Sequence, residues 1–172
     1  MIKFKIVPIS KKDAVKQQID EAIWMFFSRR NPVAIHSIVG AAHQVLHDLT
    51  NRNCSMIKNE RSASASGKGK EWYRRLNKEY NFFKHAETDK EETINFDPLL
   101  HTYYLVDCVY MYRALTGTSP YNHSIFDSWF ALAEPSAIGD PSVKSLAEKA
   151  AKDILNPNNF EYFLNLIESH KG

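Results

Sequence analysis

Three histidines and one carboxylate set among apolar residues are the groups in this sequence best suited to chemistry. His36, His43 and His47 follow a His-x(6)-His-x(3)-His spacing. At about 100° per residue they fall within about 40° of one another around a helix axis. His43 and His47, one turn apart, can reach a single divalent ion. His36 lies about 10 Å along the axis from His43, too far to complete that set. The Glu of a His-Glu-x-x-His zinc helix is missing, and Gln44 stands in its place. A metal would need ligands from another helix, so the expectation is no metal and no other cofactor, with His43 and His47 as the pair to test. Asp107 shares its side of a helix with Leu100, Tyr103, Met111 and Ala114. A carboxylate there is unfavourable unless paired, so a histidine from 32–50 or a tyrosine hydroxyl is its expected partner. His101 sits among Tyr104, Leu105, Cys108 and Tyr112. A buried Asp–His pair is either a core polar network or half of a catalytic dyad, and the core network is the expectation. Cys108 would be a nucleophile beside a histidine, but a lone cysteine is more often a small buried hydrophobe.

The stretch 71–89 carries a second group of polar candidates. Read as a helix, it places Trp72, Leu76, Tyr80, Phe83 and Ala86 on one side. Arg74, Lys78, Asn81 and His85 fall on the other. Asn81 and His85, four apart, could hold one group between them, with Lys84 displaced by about 60–100°. A solvated polar face is the plain reading and a ligand or nucleic-acid contact line the sharper one. Phe82 lies so near the polar line that Asn81 and His85 are expected to turn inward, toward the acidic connection 87–97.

The run Asn81-Phe82-Phe83-Lys84-His85-Ala86-Glu87, followed by Asn95-Phe96-Asp97-Pro98, resembles a block in a family of small bacterial all-helical proteins of unassigned function. The resemblance covers about residues 13–130. It implies a helical fold and no particular activity. A likeness to HEPN-type ribonucleases, helical bundles with an Arg-x(4–6)-His motif, fails on spacing. Nine residues separate Arg75 from His85, and only Lys78 lies at a distance that would fit.

The whole chain sets the frame for these residues. Its 172 residues suit one domain with a sizeable core, and 44% apolar with 24% charged residues suits a globular protein. No signal peptide is visible at the start, and the apolar stretch 99–112 is too short to span a bilayer. Cys54 and Cys108 are accordingly read as reduced thiols of a cytoplasmic protein that does not contact membranes. Charge is uneven. Residues 1–85 hold 16 Lys and Arg against 7 Asp and Glu, and the remainder 6 against 13. No dense basic cluster interleaved with aromatics appears, so nucleic acid is a possible partner without a patch to recommend it.

The elements that must position the candidates follow from periodicity and caps. Residues 1–9 alternate weakly and, with 93–96, allow at most a two-strand element. Ser10 caps a helix to about Ser28, and Asn31-Pro32 opens a second to about 50–53. Gly40, beside the histidine line, leaves room for something to approach the backbone. Residues 54–70 lose all periodicity, and 62–70 are a small, polar run that reads as a mobile loop. Asp97-Pro98 opens a helix that is apolar nearly all round, expected at the centre and closed by Gly117. Helices follow over about 120–133, from Asp140-Pro141 with Val143, Leu146, Ala150 and Ile154 as its buried stripe, and around Phe160–Ile167. The expected fold is an all-α, single-domain bundle of six or seven helices, centred on 98–116. The expected function is non-enzymatic binding of a small molecule or a partner. The alternatives are a nucleic-acid-binding or HEPN-like bundle using Arg74, Lys78, Asn81 and His85, and a metal-dependent hydrolase using His43, His47 and Asp107.

Overall fold

The computed structural model describes residues 6–50, 54–58, 69–85 and 90–170, without the side chains of 69–73, 75 and 76. Among these residues the chain is an all-helical bundle with no strand. The helices are α1 (Lys11–Phe27), α2 (Pro32–Leu49), α3 (Gly69–Lys84), α4 (Leu99–Thr116), α5 (Tyr121–Ala133), α6 (Pro141–Asp153) and α7 (Phe160–Ser169), with one 3-10 turn at Pro135–Ala137. Residues 6–9 and 92–97 are irregular, so the two-strand element is absent among the described residues. Residues 1–5 and 59–68, where part of that element and most of the expected mobile loop fall, lie outside them. Among the described residues no helix is long and apolar enough to cross a membrane.

Side chains start several helices at the expected places. Asn31 Oδ1 accepts from the backbone N–H of Val33 and Ala34, Asp140 Oδ1 from Ser142 and Val143, and Ser10 Oγ from Asp13. Asp97 Oδ1 accepts from the Leu99 N–H, at 3.0 Å, at the entry to α4. Gly117 ends α4 with φ 71°, a left-handed conformation that glycine adopts without strain.

The most extensive helix–helix interface joins α2 to α4, and α1 covers both. The core runs from Val15, Ile19 and Ile23 of α1 through Val39 and Leu46 of α2 to Leu105, Val109 and Met111 of α4. At the far end an aromatic cluster fastens the C-terminal helix. Phe27 stacks on Phe163 with centroids 5.3 Å apart, and Phe26 meets Trp129 edge-on at 4.7 Å. The Trp129 indole N–H donates to the Pro157 carbonyl at 2.9 Å, which ties the polar edge of that cluster to the turn before α7.

Three sequence expectations change. The stripe of α6 faces solvent, with Leu146 68% and Ile154 81% exposed, and the helix buries only Ala147. Its period is helical, but among the described residues no element covers Val143, Leu146 and Ile154. Helix α4 is not enclosed all round, because Leu99, Tyr103 and Tyr110 are exposed. Residues 54–58 are irregular as expected but are not loose, since Ser55 is buried and bonded to α4.

Gly40 earns its place on α2 through the Tyr80 ring of α3. A Cβ at residue 40 would overlap Tyr80 Cδ2 and stand 2.7 Å from Cε2. Gly40→Ala gains roughly 1 kcal/mol of helix propensity but forces that ring away, an overpacking of about 1–3 kcal/mol. The expected outcome is a lower melting temperature for Gly40→Ala, relieved when Tyr80→Ala is added. A melting temperature raised by Gly40→Ala alone would show that α3 does not pack this closely on α2.

Candidate functional site

Asp107 is the polar centre of the fold. Its carboxylate is fully buried on α4, facing α2 and the turn at 54–58. His43 Nε2 lies 2.8 Å from Oδ2, the Ser55 hydroxyl donates to the same oxygen at 2.5 Å, and the Met56 N–H donates to Oδ1 at 2.7 Å. Ser55 Oγ in turn accepts from the Lys58 N–H at 2.8 Å. The carboxylate thus meets three donors, as a buried anion requires. Lys58 adds a nearby positive charge. Burial pulls its ammonium below the usual range, and the attraction of Asp107 partly opposes that.

The same balance sets His43. Burial lowers its pKa more than the bond to Asp107 raises it, so the imidazole is held toward the neutral form. A neutral ring facing a carboxylate carries its proton on Nε2, which leaves Nδ1 as a bare lone pair without a hydrogen-bond partner. His47 is half-buried, with its ring 6.4 Å from that of His43. The order of groups decides what this centre can do. In a nucleophile triad the imidazole stands between carboxylate and hydroxyl and takes the hydroxyl proton. Here the carboxylate stands between, so Ser55 gives its hydrogen bond to Asp107 and has no base. His43 and Asp107 are 0% and Ser55 1% exposed, which keeps substrate out. The centre fastens the 54–58 turn to the α2–α4 interface.

Cys108 is not a nucleophile either. Its thiol is buried, donates to the Val39 carbonyl at 3.7 Å, and is pushed well up by burial and by the Asp107 charge. Burial first, and then Asp107, also raises Cys54.

The remaining histidines are separate from this centre. His36 is buried in an aromatic box, with centroids 5.9 Å from Phe83, 5.5 Å from Phe96 and 5.6 Å from Tyr104. Neither ring nitrogen has a hydrogen-bond partner, and burial lowers its pKa to about 4. His101 packs edge-on against Phe26 at 5.8 Å and is lowered to about 4 by burial and by the neighbouring His36. His123, which sequence reasoning passed over, is buried at the start of α5 against Tyr112. Among the described residues no group of three or more His, Cys, Asp or Glu is placed to hold a metal ion.

The α3 candidates stand apart. Asn81, Lys84 and His85 are exposed, as are Arg74 and Lys78. The expected inward turn of Asn81 and His85 is therefore corrected. Phe83 makes the inward contact, while the polar groups stay in water. The unforeseen buried group on this helix is Glu79.

A cleft of about 360 Å³ opens on the other side of α4. Met56, Ile57, Tyr103, Val106, Tyr110, Phe130, Ala131 and Ile138 line it, with Arg113 and Asp127 as its charged groups. Arg113 Nη1 meets Asp127 Oδ2 at 3.4 Å, both side chains about half-exposed. Tyr103 packs edge-on against Phe130 at 6.2 Å. Through the Met56 N–H, the Asp107 centre anchors one wall of the cleft.

No family model, curated protein or solved structure matches this chain.

Proposed function

We propose that this chain is a non-enzymatic small-molecule-binding protein and that its ligand occupies the cleft between α4, α5 and the 54–58 turn. The observation that carries the reading is the lining. Aromatic and aliphatic side chains surround a space of about 360 Å³ with two charged groups beside it, the composition and size of a small-ligand site. Tyr103 and Tyr110 are exposed on α4, and no core role accounts for their position. Among the described lining residues there is no serine, cysteine or histidine, which favours binding over turnover. The sealed Asp107–His43–Ser55 centre supports the same reading, because it holds the Met56 wall in place rather than meeting a substrate.

The test is titration with N-phenyl-1-naphthylamine, a neutral apolar probe whose fluorescence rises on leaving water. Saturable binding at one site is expected. Ala131→Trp, which fills the cleft from α5, should abolish that binding while the helical circular dichroism and the melting transition persist. Absence of saturable binding to the wild type, or equal binding to a folded Ala131→Trp, would overturn the reading.

A further inference from the structure

Resting on the small-molecule reading of the same cleft, we infer that its ligand is a small aryl carboxylate, with the ring between the tyrosines and the carboxylate on Arg113. Among the described residues that line the cleft, Arg113 is the one cation, and it is loosely engaged. Arg113 touches Asp127 through a single nitrogen at 3.4 Å, with both side chains about half in water. A guanidinium binds a carboxylate best through two parallel hydrogen bonds at shorter range, so most of the binding capacity of Arg113 is unused. An exposed, single-contact ion pair contributes little to stability, and a ligand carboxylate can displace Asp127 with little loss. The guanidinium also lies 5.9 Å from the Tyr110 ring centroid. Its charge is thereby kept beside the aromatic wall rather than extended into solvent.

The apolar part of the ligand follows from the surrounding groups. Tyr103 and Phe130 already meet edge-to-face at 6.2 Å, and a flat ring can extend that packing. Met56 is half-exposed at the cleft while its backbone N–H is fixed to Asp107 at 2.7 Å. An unbranched, polarizable side chain on a fixed backbone adapts its shape to a ring without moving the wall. Asp127 has a second consequence. It repels an acid that binds without displacing it, and it would attract an amine, so its neutralisation separates the two ligand classes.

The experiment compares 2-naphthoate, 2-naphthamide and 2-naphthylmethylamine on the intact chain by competition with N-phenyl-1-naphthylamine. The acid should bind about five- to tenfold more tightly than the amide, as expected for one added charge-assisted contact at a half-exposed site. That ratio should shrink as salt is raised. Arg113→Gln should bring the acid-to-amide ratio to about one, and Arg113→Lys should keep part of it. Asp127→Asn should raise the acid-to-amide ratio. Equal affinities of acid and amide in the wild type, an unchanged ratio in Arg113→Gln, or a preference for the amine would overturn the acid assignment while the small-molecule reading stands. Failure of the neutral probe itself to bind the wild type removes both.

Discussion

Stability should fall steeply as pH drops from about 6.5 toward 4, before most surface carboxylates are protonated. His36, His101 and His123 are each lowered to about 4 from 6.5, and burial is the first cause in each case. In this window the unfolded chain takes up protons that the folded chain refuses. A state that binds more protons gains as pH falls, so the unfolded state gains here. The contribution of neutral histidine is fully present above pH 6.5 and is lost progressively down to about 4. A shift of that size corresponds to about 3 kcal/mol per residue. The three are not independent, because His36 and His101 disfavour each other's charge. His43 is displaced in the same direction and adds to the effect.

The groups facing these rings do little to rescue the charge. His36 sees Phe83, Phe96 and Tyr104. His101 has Asp97 as its favourable neighbour, and burial outweighs it. His123 has Asp20 at 3.6 Å, but Asp20 also accepts from Lys16 at 2.6 Å, and Lys16 opposes protonation of His123. Urea denaturation at pH 7.5, 6.5, 5.5 and 4.5 reads the effect directly. A loss of several kcal/mol across that range is expected, against a total that for most domains is only about 5–15 kcal/mol. His36→Phe, which completes the aromatic box with a ring that cannot titrate, should lessen the dependence by the share of His36, leaving that of His101, His123 and His43. Stability that is constant from pH 7.5 to 4.5 would mean that these histidines are hydrated.

Much of the architecture can be read along the chain because local chemistry decides it. Asn31, Asp140 and Gly117 act at helix ends through contacts within three or four residues. The need for a partner at Asp107 is equally legible, since a carboxylate on an apolar helix face must be compensated wherever it is placed. Which partner is not legible. His36, His43 and His47 share one side of α2, and only the axial register of α2 against α4 brings His43, rather than the others, to 2.8 Å. Ser55 gives no signal at all. A serine in an aperiodic stretch looks like solvent-exposed loop, and its burial depends on where the turn lands. The exposed stripe of α6 and the cleft beside Tyr103 and Tyr110 fail for a related reason. Periodicity shows which residues could be covered, not whether another element arrives to cover them. Asn81 and His85 show the converse, as aromatic residues nearby suggested burial, but Phe83 turns inward while these two stay exposed.

Replacing Asp107 by alanine should be the most damaging single change in the protein. Three donors lose their acceptor at once: His43 Nε2, the Ser55 hydroxyl and the Met56 N–H. All lie at a site where water has no access from the surface, and the deleted side chain leaves a void. Unsatisfied buried donors cost about 1–3 kcal/mol each when isolated. They relax together here, since the 54–58 turn can swing out, so a loss of about 3–5 kcal/mol is expected rather than their sum. Asp107→Asn keeps the shape and one acceptor oxygen. Oδ1 still receives the Met56 N–H, and His43 can move its proton to Nδ1 and accept from the new amide through Nε2. Its expected loss is about 1–2 kcal/mol. Asp153→Ala, at an exposed position of α6, should stay within about 0.5 kcal/mol. Because Met56 lines the cleft, Asp107→Ala should also weaken binding of N-phenyl-1-naphthylamine under conditions where the variant remains folded. Thermal and urea unfolding of the three variants, with a His43→Ala/Asp107→Ala double-mutant cycle, gives the decisive comparison. The two single changes should be strongly coupled, the second costing little once the first has been made. Additive losses, or an Asp107→Ala no worse than Asp153→Ala, would show that the carboxylate does not hold the turn to the bundle.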